Sequence, residues 1–505
     1  MSESLYDNLI QVARANSGKP CLLLEDGTSI SYEQLFDQVH LVAAALNECG
    51  ISTDDRVVAH CDKTPLTLAL YLACLQIGAI YVPLNTAYTS IELGYFLDNA
   101  KPKLYVGSTE VEAATDRSLN QLVLDTDGKG SLWDASRRVS EPYTRSVERC
   151  GDDIAAILYT SGTTGRSKGA MLTHRNLLSN ARTLNEVWGF RDDDVLLHAL
   201  PIYHVHGLFV AIHCVLLSGC SMIFQQRFDV LDVMRELPNA TVLMGVPTFY
   251  TRLLSRPEFG SDMVSNMRLF ISGSAPLTEQ TFREFSERTG MAILERYGMS
   301  ETLMNTSNPL GGERKAGTVG FALPDVSLRI TDDHGFELAA GEVGGIELKG
   351  PNVFKGYWEM PEKTAQEFRS DGYFMTGDMG VQDEDGRVSI VGREKDVVIS
   401  GGLNVYPAEV ETAIGDLPDV SDVAVIGAPH PDFGEGVVAV VVSSSGSTVE
   451  TQTVRGQLKE VLAGFKQPQR VETVTELPRN AMGKIQKNSL REQFKDVFSQ
   501  SECTA

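Results

Sequence analysis

Basic residues are in short supply in this chain: 44 Lys and Arg stand against 67 Asp and Glu, a formal net charge of −23. Such a surface repels nucleic acid and anionic membrane, so neither is expected as a partner. It repels small anions as well, so any nucleotide site must be made locally positive by a few cations and backbone amides. No uninterrupted apolar run is long enough to span a bilayer. The N-terminal residues carry no basic segment followed by an apolar stretch, so no signal peptide is expected. The 8 cysteines form no C-x-x-C pair and sit beside no histidine cluster. They read as reduced thiols of a cytoplasmic protein, not as disulfides or zinc ligands. Internal repeats are absent, and the serine-rich stretch 443–447 is only a short loop.

What is present is ample material for a core. The 505 residues are 42% hydrophobic and 22% charged, which suits one large domain and a smaller one. The first half alternates helical and strand patterns. Apolar residues recur at helical spacing over 31–49, 66–77, 176–187, 230–237 and 279–288. Short apolar runs over 55–60, 79–84, 103–106, 154–159, 195–199, 241–246 and 269–272 read as strands. This rhythm predicts α/β layers around largely parallel sheets, with ligands bound where strand order switches. From about Gly317 short strands between Gly and Asp turns take over: 328–330, 345–349 and 387–391. After Arg393 a compact α+β unit is expected, with helices over 407–414 and 453–462 and strands over 420–426, 436–443 and 470–473. A boundary near Lys395 divides the chain into 1–394 and 395–505.

The densest chemical signal is Tyr159-Thr160-Ser161-Gly162-Thr163-Thr164-Gly165-Arg166-Ser167-Lys168-Gly169. It follows an apolar strand and is expected to lead into a helical stretch. Its glycines let the backbone turn tightly and present amide N–H groups to phosphate oxygens. The hydroxyls add donors, and Lys168 adds charge. It is not a Walker A loop, because no Lys-Ser/Thr pair follows the second glycine directly. A plain polar turn is the rival reading, but so many donors with a lysine between two strong elements argue against it.

Four later segments are each weak alone: Leu294-Glu295-Arg296-Tyr297-Gly298-Met299-Ser300-Glu301-Thr302, Tyr373-Phe374-Met375-Thr376-Gly377-Asp378, Gly392-Arg393-Glu394-Lys395-Asp396, and Pro478-Arg479-Asn480-Ala481-Met482-Gly483-Lys484. In this order and spacing the chain resembles the acyl-CoA synthetases of the adenylate-forming (ANL) superfamily over essentially its whole length. The resemblance implies a large N-terminal domain of about three subdomains, two α/β layers and a distorted β-barrel. A small mobile α+β C-terminal domain would follow, with the active site between. It implies ATP, Mg²⁺ and coenzyme A as co-substrates and cofactors.

The resemblance also implies roles. Thr160, Ser161, Gly162, Thr163, Thr164, Gly165 and Lys168 would hold the β- and γ-phosphates. Ser274, Ala275, Pro276, Tyr297 and Gly298 would flank the adenine. Ser300 would bond the α-phosphate, and Thr160 and Glu301 would support Mg²⁺, which prefers oxygen ligands. Asp378, with Arg393 nearby, would take the ribose hydroxyls. Lys484 would stabilise charge as the acyl-adenylate and pyrophosphate form, and acetylation there would remove that charge. The small domain would then rotate about Lys395 and bring Gly401, Gly402 and Leu403 to a pantetheine tunnel for thioester formation.

Arg296 stands where many members of the superfamily have glycine. A guanidinium beside an acyl pocket suits a second carboxylate, which it can hold through two bonds. Such a charged bond contributes roughly 1.5–3 kcal/mol. The rival is a pair with Glu295 or a solvent-facing side chain. His206, in Pro201-Ile202-Tyr203-His204-Val205-His206-Gly207, could bond the same carboxylate, although a lone histidine is more often structural. The acid expected is therefore short and dicarboxylic; the resemblance, carried further by Met244-Gly245-Val246-Pro247-Thr248 and Met304-Asn305-Thr306-Ser307-Asn308-Pro309, implies malonate, with methylmalonate as a secondary substrate and oxalate or succinate as alternatives. An adenylation enzyme loading a carrier protein would share every ATP motif. A non-catalytic relative would be expected to have lost Lys484, Asp378 or Glu301, and all three are present.

Overall fold

The computed structural model describes residues 2–109, 119–160, 167–480 and 483–498. Two large sheets form its frame. One has nine strands, ordered Phe321–Ala322, Leu303–Ser307, Leu294–Met299, Leu269–Ser272, Val242–Gly245, Val195–His198, Ser221–Phe224, Pro20–Leu24 and Ser29–Ser31. Its inner pairs, from Leu294–Met299 across to Pro20–Leu24, are all parallel, and its end pairs are antiparallel. The other has six strands, ordered Asn120–Val123, Leu104–Gly107, Arg56–His60, Ile80–Pro83, Ile154–Thr160 and Lys168–Thr173.

The inner strands read as continuous apolar runs because helices cover both of their faces. Helix Pro65–Ile77 is apolar all round, and its residues from Leu66 to Ile77 are buried, as expected of a helix packed on every side. Thr64 caps it by accepting from the Thr67 amide, with Pro65 in its first turn. Gly78 ends it in the left-handed conformation, φ 73°.

The β-rich part is an open four-stranded antiparallel sheet, Ser327–Thr331, Val343–Lys349, Phe374–Gln382 and Val388–Arg393. A bridge between Gly320 and Val388 stitches it to the segment leading into Phe321–Ala322. Beyond Arg393 a five-stranded sheet carries its own apolar core, including Val398, Val410, Ile414, Val425, Val437, Val441 and Leu458.

One expectation is corrected. The glycine-rich loop does not run straight into a helix. Strand Lys168–Thr173 pairs antiparallel with Ile154–Thr160 first, and helix His174–Val187 follows. Thr160 and Lys168, on either side of the loop, therefore face each other across an antiparallel pair.

Candidate active site

Strand order in the nine-stranded sheet reverses at Val195–His198. The chain leaves it for Ser221–Phe224 on one side and returns to Val242–Gly245 on the other. The crevice at such a switch point, beyond the carboxyl ends of the strands, is where open α/β sheets take ligands. The segments 201–207, 246–248 and 273–276 and the strand Leu294–Met299 all meet this edge.

Tyr297, Asp378 and Arg393, all expected at the nucleotide, lie together. The Tyr297 hydroxyl donates to Asp378 Oδ2 at 2.6 Å, and Arg393 Nε meets Asp378 Oδ1 at 2.6 Å. Asp378 is buried in strand Phe374–Gln382, next to Gly377, whose φ of 68° breaks the regular extended backbone there. Ser274 is held in the left-handed region, φ 73°, a strained conformation typical of binding sites. Ala275 is half-buried beside it and Pro276 is exposed. Gly298 lies in the strand, and Ser300 is in the turn that follows, half-buried.

Lys168 is held by Glu367 at 2.9 Å and lies 4.1 Å from the centre of the Tyr357 ring. The Tyr357 hydroxyl lies between two carboxylates, 3.1 Å from Glu301 Oε1 and 2.7 Å from Glu367 Oε2. Glu301 is buried, makes no ion pair among the described residues, and burial raises its pKa. A buried carboxylate without a cation suits Mg²⁺, which binds through one or two carboxylates plus substrate phosphates and water. Among the described residues no group of three His, Cys, Asp or Glu could hold a metal by itself. The Thr160 hydroxyl lies 3.4 Å from the Lys168 carbonyl. Ser161, Gly162, Thr163, Thr164 and Gly165 lie outside the described residues.

The acid half is distinctive. Strand alternation sends Glu295 and Arg296 to opposite faces, and no ion pair joins them. Arg296 is 3% exposed, and its Nε and Nη2 are buried without a partner. Burial with no anion alongside lowers its pKa to about 9, so it remains a cation at neutral pH. Glu295, buried on the other face, is pushed up to about 8 and keeps its proton. The surface-residue reading of Arg296 is thereby excluded.

Gly273 makes room for Arg296: a Cβ there would lie 2.4 Å from the guanidinium carbon. His206 Nδ1 lies 3.4 Å from Ser274 Oγ, and its Nε2 is buried and unpartnered. His204 Nδ1 is likewise buried and unpartnered. Burial, then the nearby Arg296 charge, lowers both imidazoles, His204 to about 4. The pocket thus offers one guanidinium and two neutral imidazoles, and among the described residues no carboxylate pairs with them.

Lys484 reaches this site from the C-terminal unit. Its side chain is solvent-accessible, yet protein surrounds it closely. That crowding, then the Arg393 charge, lowers its pKa, while Asp378 and Asp396 oppose the shift. Its charge also depresses His204. A Cβ on its neighbour Gly483 would come 3.0 Å from Thr248 Oγ1 of the large domain. Lys395 sits in the short 3₁₀ turn Glu394–Asp396 between the two units. Gly401 and Gly402, φ 60° and 79°, form the tip of the hairpin joining Val398–Ser400 to Leu403–Val405. Two successive positive φ values are what a tight primed hairpin turn requires. Leu403 beside them is 49% exposed.

Sequence reasoning missed His204, Tyr357 and Glu367. His204 shared a segment with His206, and only the fold shows that both rings face the same cation. Tyr357 and Glu367 lie more than 50 residues from Glu301 in sequence and carry no motif of their own.

The family described as "AMP-binding enzyme" matches residues 9–358, and "AMP-binding enzyme C-terminal domain" matches 409–484. The ATP-bound crystal structure of MatB from Rhodopseudomonas palustris superposes with a TM-score of 0.95 at 52% identity, covering 99% of this chain and 100% of that one. A malonate–CoA ligase of Arabidopsis thaliana is 35% identical, covering 83% of this chain and 74% of the relative. An indoleacetate–CoA ligase of Aromatoleum aromaticum is 34% identical, covering 92% and 93%.

Proposed function

Because the chain belongs to the AMP-binding enzyme family, we propose that it is a malonate–CoA ligase, a malonyl-CoA synthetase. It would form malonyl-CoA from malonate, ATP and coenzyme A through a malonyl-adenylate, releasing AMP and pyrophosphate. Identity to these two curated ligases does not by itself choose the acid, since the malonate and indoleacetate ligases stand at 35% and 34%. The pocket does. Arg296 is buried with two donor atoms unpartnered, beside two imidazoles, and no carboxylate among the described residues pairs with it. An anion belongs there, and a monocarboxylic acid has already committed its only carboxylate to ATP. The cytoplasm is the compartment this reading assigns, in keeping with the free cysteines among the described residues.

The chain's residues then divide the work. Arg296 and the histidines hold the distal carboxylate and aim the other one at the α-phosphorus of ATP. Orientation of this kind removes several kcal/mol from a two-substrate barrier. Lys168 swings from Glu367 to the phosphates, and Ser300 donates to the α-phosphate. Asp378 receives the ribose hydroxyls, beside Tyr297 and the adenine. Lys484 neutralises charge that develops as the carboxylate oxygen bonds to phosphorus and pyrophosphate leaves. Mg²⁺ held at Glu301 with Thr160 would neutralise the phosphates. No protein nucleophile is needed.

The units 1–394 and 395–505 would pivot at Lys395 for the second step, exchanging Lys484 for the Gly401–Gly402 hairpin with Leu403. Coenzyme A thiolate then displaces AMP. Acetylation of Lys484, whose side chain is accessible, would silence the first step alone.

The deciding experiment is pyrophosphate release across malonate, methylmalonate, succinate, oxalate and acetate. Malonate should lead, with methylmalonate second. Acetate outpacing malonate would overturn the dicarboxylate reading while leaving the ligase reading intact.

A further inference from the structure

Behind the acid pocket lies a buried polar tie between the two large sheets. Lys63, 6% exposed, follows the carboxyl end of strand Arg56–His60 in the six-stranded sheet. It donates to His198 Nδ1 at 2.5 Å and to the His198 carbonyl at 2.8 Å, across the edge of the nine-stranded sheet. Among the described residues it makes no salt bridge, although the Glu25 charge is near enough to favour its charged form. The Phe224 ring lies 4.4 Å away. Burial pulls the pKa of both Lys63 and His198 well down.

A lysine donating to Nδ1 fixes the tautomer of His198, which leaves the proton on Nε2. That proton is given to the Gly207 carbonyl at 2.9 Å. Gly207 is the second residue of the π-helix His206–Ile212. Such widened turns are rare and recur at functional sites, because they re-aim the side chains at their ends. The far end of the same helix is tied too: His213 Nε2 is bonded to Tyr71 Oη at 2.8 Å, on the helix that Lys63 precedes. The π-helix is therefore clamped at both ends by the segment that begins at Lys63, and His206 is its first residue.

We infer that Lys63 and His198 are positioning residues for acid recognition: they fix the start of the π-helix so that His206 presents its free ring nitrogen beside Arg296. The inference rests on the dicarboxylate reading above. Neither residue touches the acid. Their effect travels through one carbonyl and one helix start, so it should appear in the choice and binding of the acid, not of ATP.

The test uses Lys63→Met, which keeps the aliphatic bulk, and two substitutions at His198. Replacing a buried polar tie by an apolar side chain is often tolerated in folding, and thermal unfolding would verify this for each variant. In Lys63→Met the malonate KM should rise about ten- to a hundredfold, and the malonate-over-acetate ratio of kcat/KM should fall in proportion, while the ATP KM moves less than about twofold. His198→Leu should behave alike. His198→Gln, whose amide can still donate toward Gly207, should recover part of the loss. An unchanged malonate-over-acetate ratio in folded Lys63→Met and His198→Leu would overturn the inference, as would malonate and ATP KM values that rise together. If the unaltered enzyme itself prefers acetate, the dicarboxylate reading has failed. If it prefers malonate and the variants do too, only this inference has.

Discussion

Replacing Arg296 by methionine should make the protein more stable and nearly useless toward malonate. The guanidinium is held at 3% exposure with no counter-ion, and its pKa falls from 12.5 to about 9. A displacement of that size corresponds to about 5 kcal/mol of unfavourable free energy in the charged form. Because about 9 still lies above neutral pH, the whole penalty is present at pH 7. Methionine fills much of the same volume without charge, but imperfect packing and the unfolded chain absorb part of the gain. A net stabilisation of about 1–3 kcal/mol is expected, seen as a rise of a few degrees in the unfolding midpoint. Against malonate the variant forfeits a charged hydrogen bond worth roughly 1.5–3 kcal/mol, or about 10- to 150-fold in kcat/KM. Thermal unfolding and pyrophosphate release over malonate and acetate measure both sides. A variant that unfolds earlier yet keeps malonate kcat/KM within about threefold would show that Arg296 is a structural cation, and the reasoning would fall.

Three further outcomes follow from neighbouring groups. Gly273→Ala places a methyl 2.4 Å from the Arg296 guanidinium carbon; the malonate KM should rise at least about tenfold, with the ATP KM little changed in a substrate titration. Glu295 has a folded pKa raised from 4.5 to about 8, so the unfolded chain sheds its proton first and stability is lost as pH rises from about 4.5 to 8; Glu295→Gln should therefore stabilise the protein more at pH 8 than at pH 5 in denaturant unfolding. His174 and His204 are lowered from 6.5 to about 4 and His213 to about 3. They stay neutral when folded, so stability should fall as pH drops below 6.5, by up to about 1.4 kcal/mol per pH unit for each; urea midpoints unchanged from pH 7 to pH 5 would contradict this.

The α/β frame was legible because its inner strands are short, wholly apolar and separated by amphipathic helices. The runs 55–60, 154–159 and 269–272 match strands Arg56–His60, Ile154–Thr160 and Leu269–Ser272 to within a residue. Strand Lys168–Thr173 was hidden because Lys168 and Gly169 read as the end of a phosphate loop, and only pairing with Ile154–Thr160 makes them extended. The π-helix was hidden too, since His206–Ile212 carries an apolar pattern that any buried helix would show. On the site, Arg296 stood out as a charge in an apolar setting. That it lacks a partner is a three-dimensional fact, decided by strand alternation away from Glu295 and by the space over Gly273. Lys63 offered no signal, as its partner His198 lies 135 residues away.

The carboxylate of Asp378 is already engaged on both oxygens, by Tyr297 and Arg393. Each carboxylate oxygen carries two lone pairs, so under the reading proposed above a ribose arriving there would share an acceptor that is already oriented and charge-balanced. Neither bond would have to break when ATP enters or be remade when AMP leaves, so one preset anchor would serve both ends of the cycle.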